Sequence, residues 1–170
     1  LTNDSILKIV HSEHHDPFTI MGIHFIDEKE KKGIVIRLFY PGLKTAVVVE
    51  KNNPSKTYEM KKLHEEGFYE TEIKEKNEIF DYYFKVVNNE GYEWGFEDSY
   101  KFLPVLGEHD LYYLNQGKHY KSYEKLGSHL ITHYGVKGVH FCVWAPAAKR
   151  VSVIGNFNKW DGRIHQMRVI

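Results

Sequence analysis

Apolar residues recur along this chain at two different periods, and the switch between them sets the expected elements. Ile6, Leu7, Ile9 and Val10 cluster behind a polar opening, with Thr2, Asn3 or Asp4 placed to cap it, so a short helix is predicted within residues 4–14. Asp16 precedes Pro17, which pushes it out of the helical region and ends the helix there. Beyond Ile20 the period falls to two. Ile34, Ile36, Leu38 and Tyr40 alternate with Val35, Arg37 and Phe39, the spacing of a strand. Similar runs cover 20–26, 45–50, 57–60, 68–73 and 79–88, divided by DEKEKKG, PGLK and KNNPSK and closed by NNEG. The charged run EKEKKG reads as a solvated hairpin turn. Short strands with tight turns predict an all-β, immunoglobulin-like β-sandwich behind the N-terminal helix.

The same pattern occurs twice. Setting Pro41 on Pro146, an offset of 105 residues, lays Ile34 on Val139, Ile36 on Phe141, Leu38 on Val143 and Phe39 on Trp144. Ala46 and Val48 then fall on Val151 and Val153. Two sandwich units in tandem are therefore expected, with 34–40 and 139–145 as equivalent strands. Ile170 falls on position 65 of the first copy, so the second is expected to be incomplete by about 40 residues. Residues 100–132 lack alternation and carry Gly107, Gly117 and Gly127, with 111–117 predicted as a short helix or strand docking onto the first sandwich. The expected division is a sandwich over 1–108, a linker or docking segment over 109–132, and a truncated module over 133–170. Open edges at 139–146 and 151–156 predict pairing with another chain, most simply a homodimer through the truncated module. The alternative is that residues 138–170 fold back onto the first sandwich.

Composition narrows the classes. Lys plus Arg and Asp plus Glu each number 23 in 170 residues, which leaves no charge footprint for nucleic acid or an anionic membrane. No apolar run has the length of a bilayer span, and the polar opening does not resemble a secretory leader. A cytoplasmic protein is expected. The single cysteine, Cys142, forms no internal disulfide and is expected as a small buried thiol within a strand. His11, His14 and His15 have helical spacing but no accompanying cysteine cluster. They are assigned a structural role, and neither metal nor cofactor is expected.

The tryptophans carry the candidate chemistry. A sugar ring presents an apolar C–H face that stacks on an exposed aromatic, while amide and ammonium groups bind its hydroxyls. Trp160 stands on a turn beside Asn158 and Lys159, which supply those groups. Packing against a neighbouring domain is the competing role for Trp160. Trp94, with Tyr92 and Phe96, forms either an aromatic platform or a cap on the sandwich edge. Trp144 lies in apolar alternation and is expected in the core.

Residues 138–162, GVHFCVWAPAAKRVSVIGNFNKWDG, resemble the start of the carbohydrate-binding module that precedes the catalytic barrel in α-amylase-superfamily enzymes acting on branched glucans. The match runs through Val143, Trp144, Ala145, Pro146, Val151, Val153, Gly155, Phe157, Asn158 and Trp160, with Asp161, Gly162 and Arg163 behind. Residues 1–130 resemble the extra N-terminal domain of bacterial 1,4-α-glucan (glycogen) branching enzymes. That match rests on His14, Asp16, Pro17, Phe18, Gly22 and His24, then Arg37, Phe39, Pro41 and Gly42. It continues through Asp98, Tyr100, Phe102 and Pro104, and through Asp110, Tyr112, Gly117, His119, Tyr123, Leu126, Gly127 and His129. Met21, Ser99 and Ser128 are mild departures.

The resemblance implies a parent protein that cuts α-1,4 links and forms α-1,6 branches by a retaining two-carboxylate mechanism. The carboxylates would sit in a barrel downstream, so no residue of this chain is expected to be catalytic. Glucan and that barrel are the implied partners, and Trp160 occupies the ligand tryptophan of the Gly-x-Phe-Asn-x-Trp segment. A stand-alone glycogen-targeting module of a regulatory protein is the alternative, as is a debranching relative. The first 130 residues favour the branching enzyme over both.

Overall fold

The chain opens with helix α1 (Asn3–Val10), where the Thr2 hydroxyl caps the free end by accepting from the Ser5 N–H at 3.2 Å. Asp16 then caps a single 3₁₀ turn, Pro17–Thr19, by accepting from the Phe18 N–H at 3.1 Å. The computed structural model describes residues 1–26 and 33–170. The charged turn expected after Ile26 lies outside the described residues, apart from Gly33. Two units form: residues 1–101 with 152–170, and residues 102–151.

The first unit is an antiparallel sandwich. One sheet orders its strands β1 (Gly22–Phe25), β2 (Ile34–Phe39), β6 (Phe68–Ile73) and β5 (Lys61–His64). The other orders β4 (Thr57–Glu59), β3 (Leu43–Glu50), β7 (Tyr82–Asn88) and β8 (Glu93–Phe96). Ile34, Ile36 and Leu38 of β2 and Tyr69 and Ile73 of β6 face Ala46 and Val48 of β3 and Tyr82, Phe84 and Val86 of β7 in a single core. On β2 the alternation of apolar residues is nearly lost because both faces are covered. Phe39 and Phe68 join Ile6, Ile9, Val10 and Met21 in a second cluster, so α1 packs on the outer face of that sheet. Arg37, also turned outward, is neutralised by its cross-strand partner Glu70 at 2.6 Å and donates to the Ile20 carbonyl at 3.1 Å.

Aromatic rings line the core in a continuous series. Tyr92, Trp94, Tyr40, Phe96, Phe84, Tyr82, Phe80 and Tyr58 follow one another with centroid separations between 5.5 and 6.2 Å. The Tyr82 hydroxyl donates to Asp98, a fully buried carboxylate that also accepts from the Tyr100 N–H at 2.9 Å. Tyr100 in turn crowds Gly22, where a Cβ would lie 3.0 Å from that of Tyr100 and φ is +83°. Gly67 is more constrained, because a Cβ there would stand 2.2 Å from the Tyr40 carbonyl oxygen at φ +101°.

The second unit reproduces the start of the first. Helix α2 (Glu108–Asn115) lies 105 residues after α1, and the 3₁₀ turn Ser122–Glu124 lies 105 after Pro17–Thr19. Strands β9 (Gly127–His133) and β10 (Val136–Cys142) pair as β1 and β2 do, with Gly22↔Arg37 becoming Gly127↔Cys142 and Phe25↔Ile34 becoming Leu130↔Val139. Details recur too. His24 Nε2 lies 2.8 Å from the Met21 carbonyl and His129 Nε2 lies 2.9 Å from that of Leu126. Ser12 and Gly117, both left-handed, end the two helices. Residues 109–132, expected as a linker, thus form the helix, turn and strand that open the second copy.

Other expectations change. Strand β10 stops at Cys142, so 143–145 are not strand, and Trp144 is half exposed instead of being in the core. No facing sheet covers it within its unit. Cys142 is half-buried, and that burial raises its thiol pKa. Val151 and Val153 form no regular strand, leaving only a bridge between Ser152 and Gln166. Of residues 138–170, expected either to pair with a second copy or to fold back, 152–170 pack with the first sandwich and 138–151 belong to the second unit. Among the described residues, no helix is long and apolar enough to cross a membrane.

Candidate functional site

The loop from Gly155 to Arg163 is closed at its base by the Ser152–Gln166 bridge and by the Val153 N–H donating to the His165 carbonyl at 3.0 Å. Its centre is Asn158. Sequence chemistry expected this amide to meet a sugar; the structure buries it completely. Oδ1 accepts from the Gly155 N–H at 2.9 Å, while Nδ2 donates to the Val153 carbonyl at 2.8 Å and lies 3.0 Å from His165 Nδ1. With those partners taken, Asn158 shapes the loop and does not present itself to ligand. Burial depresses the pKa of His165, disfavouring the charged ring beside the amide.

Around that amide the chain makes a 3₁₀ turn, Asn156–Asn158, then places Lys159 and Trp160 in the left-handed region at φ +54° and +60°. Two successive side-chain-bearing residues there cost about 1–2 kcal/mol each. The turn is held by Trp160 N–H donating to the Gly155 carbonyl at 3.0 Å and Asp161 N–H to that of Asn158 at 3.0 Å. Trp160 consequently stands out, 63% exposed, with its indole N–H donating to Asn156 Oδ1 at 2.9 Å. Tying the N–H sets the ring's orientation and leaves its apolar surface for contact. Phe157 is 60% exposed on the same loop and folds back over Gly155, where a Cβ would lie 2.6 Å from its ring. Lys159 is exposed beside them. Phe157 was legible only as a motif position, and its exposure next to Trp160 depends on Gly155.

Trp94 lies elsewhere in the same unit. It is half-buried on β8, meets the Tyr40 ring edge-on at 5.9 Å, and carries Tyr92 stacked at 5.8 Å. Trp94 therefore caps the sandwich edge while Tyr92, 67% exposed, extends that surface to solvent. Phe96 points into the core.

Comparison with known proteins matches residues 2–100 to the family described as alpha-1,4-glucan branching enzyme GlgB, N-terminal domain. The chain belongs to that family. A second match, carbohydrate-binding module 48 (isoamylase N-terminal domain), covers residues 125–169 and so contains the Trp160 loop. Relatives named 1,4-alpha-glucan branching enzyme GlgB align along nearly the whole chain. That of Synechocystis sp. is 42% identical over 97% of this chain and 21% of its own length. Those of Mesorhizobium japonicum and Myxococcus xanthus are each 40% identical, over 96% and 95% of this chain. The GlgB-family chain described here spans about a fifth of the length of these curated relatives.

Proposed function

We propose that this chain is the non-catalytic, glucan-positioning region of a bacterial 1,4-α-glucan branching enzyme. Cleavage of α-1,4 links and formation of α-1,6 branches would belong to a catalytic barrel elsewhere in the parent protein. The observation that carries this reading is the outward Trp160 on a braced loop, inside a segment matched to a carbohydrate-binding module. Its ligand is an α-1,4-glucan such as glycogen, stacked on Trp160 with Lys159 serving the hydroxyls. Tyr92 and Trp94 offer a second aromatic contact. The family matches end at residue 100 and resume at 125, whereas packing joins 152–170 to the first sandwich. The compartment is cytoplasmic, where such a glucan would be stored. The exposed side chains of Leu130, Val139 and Phe141 supply a face for a second copy of the chain.

An open aromatic contact of this size binds weakly, near millimolar or about 4 kcal/mol. Migration in a native gel containing glycogen tests the reading. Trp160→Ala should abolish the retardation while the circular dichroism stays unaltered. Retardation that survives in that variant moves the contact to Trp94; none in the parent chain sinks the glucan reading.

A further inference from the structure

We propose that the first sandwich is the seat of the Trp160 loop, with Glu66 as a positioning residue that acts through Arg163. The inference rests on Trp160 as the glucan contact, but the seat itself is a matter of geometry. Glu66 lies in the turn between β5 and β6, next to Gly67, whose contact with Tyr40 fixes that turn. Arg163 Nη1 donates to Glu66 Oε2 at 3.0 Å across a sequence separation of 97 residues. The rest of the guanidinium forks onto Asp161, Nε at 3.0 and 3.1 Å and Nη2 at 2.8 Å, and the Arg163 backbone N–H donates to the same carboxylate at 2.9 Å. A planar group with donors on two sides can span two carboxylates in this way; a lysine ammonium cannot.

Asp161 directly follows Trp160, so whatever holds Asp161 holds the end of the left-handed turn. Four further contacts make the same attachment. The Arg163 guanidinium lies over the Phe39 ring at 5.6 Å, and Arg168 lies over Phe18 at 4.1 Å. Gln166 donates to the His14 carbonyl at 3.0 Å, and Ile164 is buried in the core cluster. A backbone held in a sparsely populated conformation persists only while its surroundings over-determine it. The sandwich supplies that surrounding, and a pre-set aromatic loses less freedom on meeting a ligand. The first domain thereby serves binding without itself touching the sugar at this loop.

The test uses the 170-residue chain, maltoheptaose as the probe, and fluorotryptophan labelling, with the Trp160 fluorine resonance identified by its loss in Trp160→Phe. Glu66→Ala should weaken maltoheptaose binding roughly three- to tenfold and shift the Trp160 resonance. The thermal midpoint should hold, because the Glu66 side chain is 54% exposed. Glu66→Gln, which keeps an acceptor, should recover most of the affinity, whereas Arg163→Lys should behave like Glu66→Ala. An unmoved Trp160 resonance in Glu66→Ala overturns the seat, whatever the binding does. A moved resonance with unchanged affinity overturns the link from seat to glucan. If Trp160→Ala binds maltoheptaose normally, the glucan reading of Trp160 fails by itself, and the resonance still decides the seat.

Discussion

The two copies of the opening motif share their backbone and differ in almost everything around it. Val10, Met21 and Ile34 are buried in the first copy. Their counterparts at the offset of 105 are Asn115, Leu126 and Val139, and Val139 is 49% exposed where Ile34 is fully buried. Yet the helix ends, the 3₁₀ turns, the histidine-to-carbonyl contacts and the strand register coincide. Short-range devices are therefore enough to shape this stretch of chain: a left-handed residue after the helix, a left-handed glycine at the strand start, a ring nitrogen on a nearby carbonyl. Burial is a separate matter, decided by whether a second sheet and a helix lie opposite.

The sharpest way to break this contrast is to remove bulk from each copy. Phe84→Ala, in the core that the first copy faces, should cost about 3–5 kcal/mol by urea denaturation. A loss below about 1 kcal/mol would mean that the facing sheets do not supply the stability. Next come the two turns. Gly67→Ala drives a methyl into the Tyr40 carbonyl and should cost at least about 2 kcal/mol, whereas Gly135→Ala, left-handed at φ +77° but with nothing near its Cβ, should cost only about 1 kcal/mol. Equal costs would erase the distinction between crowding and backbone preference.

A pH series sharpens the comparison further, because only the sandwich holds a buried acid of this kind among the described residues. Burial raises the pKa of Asp98 to about 6, against the opposing pull of Tyr82, the Tyr100 N–H and the Lys101 charge. An ordinary carboxyl titrates near 3.9, so between about pH 4 and 6 the folded state holds a proton that the unfolded state releases. Stability should thus fall as pH rises through that window and level off above it. Asp98→Asn should flatten the slope, as measured by urea midpoints at pH 5 and pH 7. The smallest effect belongs to the uncovered hairpin. In dilute, monomeric solution Val139→Thr should change stability by less than about 0.5 kcal/mol, and a larger loss would show that a second copy covers this face even there.

The same distinction explains what was legible in the sequence. Strand β7 was visible because a core on one face imposes alternation, clean from Tyr82 to Asn88, whereas β2, covered on both faces, is apolar at nearly every position and was visible as a β-branched apolar run. Strand β5, KKLH, lies at a sheet edge with its first three residues exposed, so it carries no period to detect. Strand β8 shows in the sequence only as an aromatic cluster after a turn. Helix α2 buries none of its residues, and without an apolar stripe its extent was unclear. At the candidate site, Trp160 was legible from its motif and its turn. The burial of Asn158 was not, since a polar residue in a loop gives no sign that its partners are all within that loop. Glu66 was invisible because its partner is distant in the chain.

The ring series through the sandwich has an optical consequence. Excitation absorbed by its tyrosines can reach Trp94, the lowest-energy chromophore in the row, by transfer through space. Emission from that indole, excited through tyrosine, therefore falls when the sandwich opens and its tyrosines move away. Trp144 and Trp160, both open to solvent, should emit at longer wavelength. A single spectrum of the unmodified chain thus separates the integrity of the sandwich from the state of its exposed loops.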